Sequence, residues 1–167
     1  MSLNADLSPV TILYVEDNDD LRATIGELLQ QPDRSVALCA SAEEALDADH
    51  AHRFDIVVTD VSLPGMSGVE LARELLGADA KRWIVLCSGY DLGEHVLGLG
   101  PCMRAITKPF EIEDLEALMG EVCAAVRGAA FATLTGSSHS SARSTSGRCS
   151  TPASSSPSPG SDRCSPS

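Results

Sequence analysis

The sequence predicts an α/β fold, doubly wound, with five parallel strands and helices on both faces of the sheet. Two observations carry this. Through about 125 residues, short apolar runs rich in β-branched residues alternate with runs of helical period. The apolar runs are also continuous rather than alternating, as strands covered on both faces should be.

The elements follow in order. Residues 11–15 (TILYV) form a buried strand that ends in acids. Leu21, Ile25, Leu28 and Leu29 then recur at helical spacing, and Pro32 marks the stop. Residues 36–39 are a second strand. Ser41 caps the next helix, with Glu44 three residues on as its capping-box partner. Residues 55–59 (DIVVT) are the third strand, followed by a loop at 63–67 whose Ser67 caps a helix carrying Val69, Ala72, Leu75 and Leu76. Residues 83–87 are a fourth strand and 103–107 a weaker fifth. Between them, residues 91–100 hold leucines but also three glycines, which predicts a short, poorly specified helix. Ile112, Leu115, Met119, Val122 and Val126 mark the clearest amphipathic helix.

No GxGxxG follows a strand and no GxxxxGK[ST] occurs, which removes the dinucleotide and P-loop variants of such a fold. The remaining expectation is a flavodoxin-like five-stranded parallel sheet of order 2-1-3-4-5. Function in these sheets gathers at the carboxyl ends of the strands. Strand one ends in Glu16-Asp17, strand three in Asp60, strand four in Ser88 and strand five in Lys108-Pro109.

That set has coherent chemistry. Three crowded carboxylates repel one another and call for a hard cation, and oxygen ligands favour Mg2+. A divalent ion would keep Asp60 ionised, leaving it able to attack phosphorus and form an acyl phosphate. Lys108 would offer positive charge to one phosphoryl oxygen, and the Ser88 hydroxyl a hydrogen bond to another. Each residue has an ordinary reading when taken alone. An aspartate at a strand end is usually a turn or cap residue, Ser88-Gly89 is a common turn, and Glu16-Asp17 favours a helix dipole. The joint placement of these five residues at the ends of four strands of one sheet is what favours the chemical reading.

Bulk properties narrow the class. The net charge is −12, unevenly spread: residues 1–136 carry −14 and residues 137–167 carry +2. So acidic a domain argues against a nucleic-acid surface. Six scattered cysteines without CxxC spacing argue against zinc and suit a reducing cytoplasm. No apolar run approaches the ~20 residues of a membrane span, and the N-terminus lacks a signal-peptide pattern. From 136 to 167, 14 residues are Ser and four are Pro, too little apolar surface to offset ordering entropy. The expected division is a disordered leader over 1–9, a folded domain over 10–128 and a disordered Ser/Pro-rich tail over 129–167.

The motifs VEDN at 15–18, DVSLPGMSG at 60–68, LCSGY at 86–90 and TKPF at 107–110 resemble those of the receiver domains of two-component signalling. The resemblance spans about residues 10 to 127. It implies that Glu16 and Asp17 bind Mg2+ together with Asp60 and the backbone carbonyl of Ser62. It further implies that Asp60 is the phosphoacceptor, that Ser88 and Lys108 bind the phosphoryl oxygens, and that Pro109 follows a cis peptide bond. The implied donor is a histidine kinase or histidine phosphotransfer protein. The implied reader is an unknown downstream protein, approached by a monomer or weak dimer. A receiver of this kind is not an enzyme toward other substrates.

Two departures stand out. Receivers usually carry Tyr or Phe three residues before the lysine, where this chain has Ala105, so coupling to strand five should be weak or use another group such as Tyr90. The segment between Ser88 and Lys108 is also slightly short for the family and rich in glycine, which puts the fourth helix in doubt. Competing functions are a degenerate receiver that binds partners without phosphorylation, an aspartyl-phosphate phosphatase and a flavin binder. The phosphatase needs a second acid where Ser62 stands. The flavin binder needs a neutral phosphate loop where residues 16–20 read EDNDD.

Overall fold

The computed structural model describes residues 8–134. The elements run β1 (Val10–Val15), α1 (Asp19–Leu29), β2 (Arg34–Cys39), α2 (Ala42–Ala51), β3 (Ile56–Asp60), α3 (Gly68–Ala78), β4 (Trp83–Ser88), α4 (Gly93–Leu97), β5 (Met103–Thr107) and α5 (Ile112–Leu134). One parallel sheet takes the order β2-β1-β3-β4-β5, as the sequence predicts.

Local chemistry sets the helix starts. The Asn18 side chain accepts from the Leu21 amide at 3.0 Å, so the cap of α1 is the residue after the acidic pair. Asp19 and Asp20 then sit in the first turn, where the helix dipole favours negative charge. At α3 the capping box is complete: Ser67 Oγ accepts from the Glu70 amide at 3.2 Å, and Glu70 Oε2 accepts from the Ser67 amide at 2.9 Å. At α2 the expected box is altered. Ser41 Oγ takes the Glu44 amide at 3.2 Å, but the Glu44 carboxylate reaches one residue further back, to the Ala40 amide at 2.7 Å.

Apolar burial lies on both faces of the sheet. Leu13, Val57, Ile84 and Leu86 pack with Leu71 and Leu75 of α3 on one side. Ile12, Tyr14, Val58 and Val85 pack with Leu115 and Met119 of α5 on the other. This is the period-two division of strand side chains, doubled because helices cover both faces. β1, β3 and β4 are buried almost throughout, matching their unbroken apolar sequences.

α4 is the short helix that the sequence predicts, and the end of α5 differs from expectation. α4 is five residues long and starts without a side-chain cap. α5 runs to Leu134, six residues past the expected end of the folded part at 128, because apolar and alanine-rich sequence continues its helix. The expectations for residues 1–7 and 135–167 fall outside the described residues.

Candidate functional site

The sheet carries its hydrogen-bond ladder up to the carboxyl edge, and that fixes the backbone of the site. The Glu16 amide donates to the Cys39 carbonyl at 3.1 Å, and the Lys108 amide to the Ser88 carbonyl at 2.7 Å. Asp60 ends β3 opposite Cys87 in the register, which sets Ser88 one residue beyond it on the neighbouring strand. The residues read from the strand ends therefore share one edge.

Glu16, Asp17 and Asp60 each bring a carboxylate oxygen within 4.8 Å of the other two. Glu16 and Asp60 are buried, at 2 % and 8 % exposure, and Asp17 is exposed. Lys108 Nζ lies 3.0 Å from Glu16 Oε2 and 3.4 Å from Asp60 Oδ1. Burial works against the ammonium, but the Glu16 hydrogen bond and the nearby carboxylate charges outweigh it, so its pKa is raised. Lys108 offsets one of three negative charges. The two that remain, on an all-oxygen donor set, match a hard divalent cation. These residues fit Mg2+.

The other expected residues take the following places. Ser88 is 1 % exposed, and its hydroxyl accepts from the Tyr90 amide at 3.1 Å. Ser62 is exposed in the bend two residues beyond Asp60. The Lys108–Pro109 peptide is cis. Ala105 is exposed on β5, and the Tyr90 ring is 58 % exposed.

Three residues matter that the strand-end reading passed over. Gly68, the first residue of α3, lies against the back of the site. A Cβ there would fall 2.1 Å from the Asp60 carbonyl oxygen and 3.1 Å from Thr59 Oγ1. Its amide also donates to the Val61 carbonyl at 3.1 Å. Arg22 Nη1 donates to the Glu16 carbonyl at 2.9 Å from the second turn of α1. Tyr14 is 2 % exposed, and its hydroxyl donates to Glu16 Oε2 at 3.4 Å. Burial first, then the Glu16 charge, raises the phenol pKa, so the hydroxyl stays a neutral donor. The sequence did hold a signal for it, since residues two apart on a strand share a face.

Beside the carboxylates opens a groove of about 450 Å3 lined by Tyr14, Glu16, Leu21, Ile25, Lys108, Pro109 and Phe110. Leu21 is 44 % exposed at its rim, an uncovered apolar residue next to a charged cluster.

The family model for the response regulator receiver domain matches residues 12–119. The uncharacterized transcriptional regulatory protein YkoG of Bacillus subtilis is 35% identical over 106 residues, covering 62% of this chain and 46% of its own length. The response regulator MprA of Mycolicibacterium vanbaalenii is 35% identical over 113 residues, covering 66% and 49%. The chain thus spans about half the length of these curated relatives. Among solved structures, response regulator TrrA of Thermotoga maritima, in complex with Mg2+-BeF, superimposes with a TM-score of 0.61 at 24% identity. That match covers 68% of this chain and 98% of TrrA, and it speaks to the fold.

Proposed function

The chain belongs to the response regulator receiver family, and from that premise we propose that Asp60 accepts a phosphoryl group from a phosphohistidine. Receiver domains act as signalling modules in two-component systems and bind Mg2+ at an acidic pocket. The observation that carries the proposal here is the meeting of Glu16, Asp17 and Asp60 with Lys108 Nζ 3.4 Å from Asp60 Oδ1. An Asp60 oxygen attacks phosphorus as the P–N bond breaks, and the imidazole leaves with the bonding pair and takes up a proton. Glu16, Asp17, Asp60 and the Ser62 carbonyl would hold Mg2+, which would supply neutralising charge to the carboxylates and phosphoryl oxygens. Lys108 and Ser88 take the remaining oxygens; for Ser88 this means giving its proton to the phosphoryl group while it still accepts from Tyr90.

The donor is a histidine kinase or histidine phosphotransfer protein. The largely apolar groove along Leu21, Ile25 and Phe110 borders the site and suits an apolar helix face on that donor. Among the described residues no helix is long and apolar enough to cross a membrane, which agrees with a cytoplasmic place of action. A downstream protein reads the switch.

The test is incubation with acetyl phosphate or beryllofluoride with and without Mg2+, followed by NMR and phosphate-affinity gels. A Mg2+-dependent response that Asp60→Asn abolishes is the expected result. A folded protein that gives none would be a receiver binding its partners without phosphorylation.

A further inference from the structure

Glu16 has an unusual share of the bonds at this site. Its Oε2 accepts from Lys108 Nζ at 3.0 Å and from the Tyr14 hydroxyl at 3.4 Å, and its Oε1 accepts from the Asn18 amide at 3.3 Å. Lys108 in turn reaches Asp60. A chain of contacts therefore runs from a core tyrosine on the central strand through a buried carboxylate and a lysine to the acceptor aspartate.

We infer that Tyr14 is a positioning residue for the phosphoacceptor site, its phenol fixing the Glu16 carboxylate so that Glu16 sets Lys108 over Asp60. This rests on the reading of Asp60 given above. A Glu side chain has three rotatable bonds, one more than an aspartate. At the end of β1 its carboxylate can swing toward Asp17 and Asp60 or back along the strand. A donor on the same face of the sheet can fix it, and position i−2 on the same strand lies on that face. Tyr14 occupies that position and is held by the packing of Ile12, Val58, Cys87 and Met119 around it. The phenol is a rigid donor with few rotamers to lose, so the bond it makes transmits the rigidity of the core to a carboxylate at the edge. Tyr14 also forms part of the wall of the groove beside Leu21 and Phe110. A partner seated there would touch the same residue that holds Glu16.

The experiment compares wild type with Tyr14→Phe, which keeps the ring and removes the hydroxyl. In the metal-free proteins, NMR follows the Asn18 amide and the Lys108 side-chain methylene next to nitrogen. Mg2+ is then titrated, and phosphorylation by acetyl phosphate is measured at each concentration. The expected result is a displaced Asn18 amide and Lys108 methylene before any metal is added. The Mg2+ midpoint should then rise by about 3- to 10-fold, the scale of one ordinary net hydrogen bond. If Tyr14 only fills the core, the variant keeps its stability, the Asn18 amide, the Lys108 methylene and the Mg2+ midpoint match wild type, and the inference fails alone. A wild-type protein that ignores Mg2+ removes the site reading and this inference with it.

Discussion

At the scale of single residues, the back of the site is as constrained as its front. Asp60 presents its carboxylate to Lys108 while its carbonyl lies where any side chain at position 68 would go. That neighbour is backbone, which has little room to yield, so Gly68→Ala must push α3 or the end of β3 aside. The expected cost is about 1–3 kcal/mol, the usual range for overpacking. It should appear as a lower urea midpoint together with slower labelling by acetyl phosphate. Equal stability and equal labelling would show that α3 shifts freely. Acids, a hydroxyl and a lysine at the ends of apolar runs are legible in sequence, because charge has no business in a buried strand unless it serves an edge. Gly68 and Tyr14 are not legible in the same way. A glycine after a serine cap reads as loop, and a tyrosine within an apolar strand reads as core; what they touch depends on how elements far apart in sequence come together.

At the scale of elements, sequence reasoning placed all five strands and set α4 apart as weak, for a reason the structure makes concrete. Gly93 has φ of 65°, and the five-residue helix it opens closes with the Gly98 amide on the Glu94 carbonyl at 2.8 Å. A single turn has no cooperative run of bonds to resist opening. Leu92, Val96 and Leu99 pack against the core. Hydrogen exchange should therefore find the amides of Gly93–Leu97 among the least protected of the helices, with α3 and the buried turns of α5 far slower. Protection of α4 equal to that of α3 would mean the packing alone suffices. The end of α5 is harder to read, since glycine and alanine at 128–130 give no hydrophobic period, yet alanine still propagates a helix once α5 has begun.

At the scale of the whole molecule, one long-range tie joins the C-terminal half of α5 to the turn between α1 and β2. Arg127 Nη2 donates to Asp33 Oδ2 at 2.7 Å and to the Asp33 carbonyl at 3.0 Å. The Arg127 hydrogen bond holds the Asp33 carboxyl below the ordinary range of an aspartate. A lowered folded-state pKa means stability present above the unfolded value and lost as pH falls through the folded one. Urea midpoints of wild type and Asp33→Asn should thus differ at pH 6 and converge well below pH 3.8. Both side chains are partly exposed, so the difference should be small and reduced by salt. The carbonyl bond does not titrate and persists. The two apolar compartments of the interior, one under α2 and α3 and one under α1 and α5, have no buried side chain in common. Mutational drift can therefore proceed on one side without forcing compensation on the other. The α1 side, which borders the groove, is free to diversify toward new donors while the α3 side keeps its own packing, and a directed library could retune one specificity at a time.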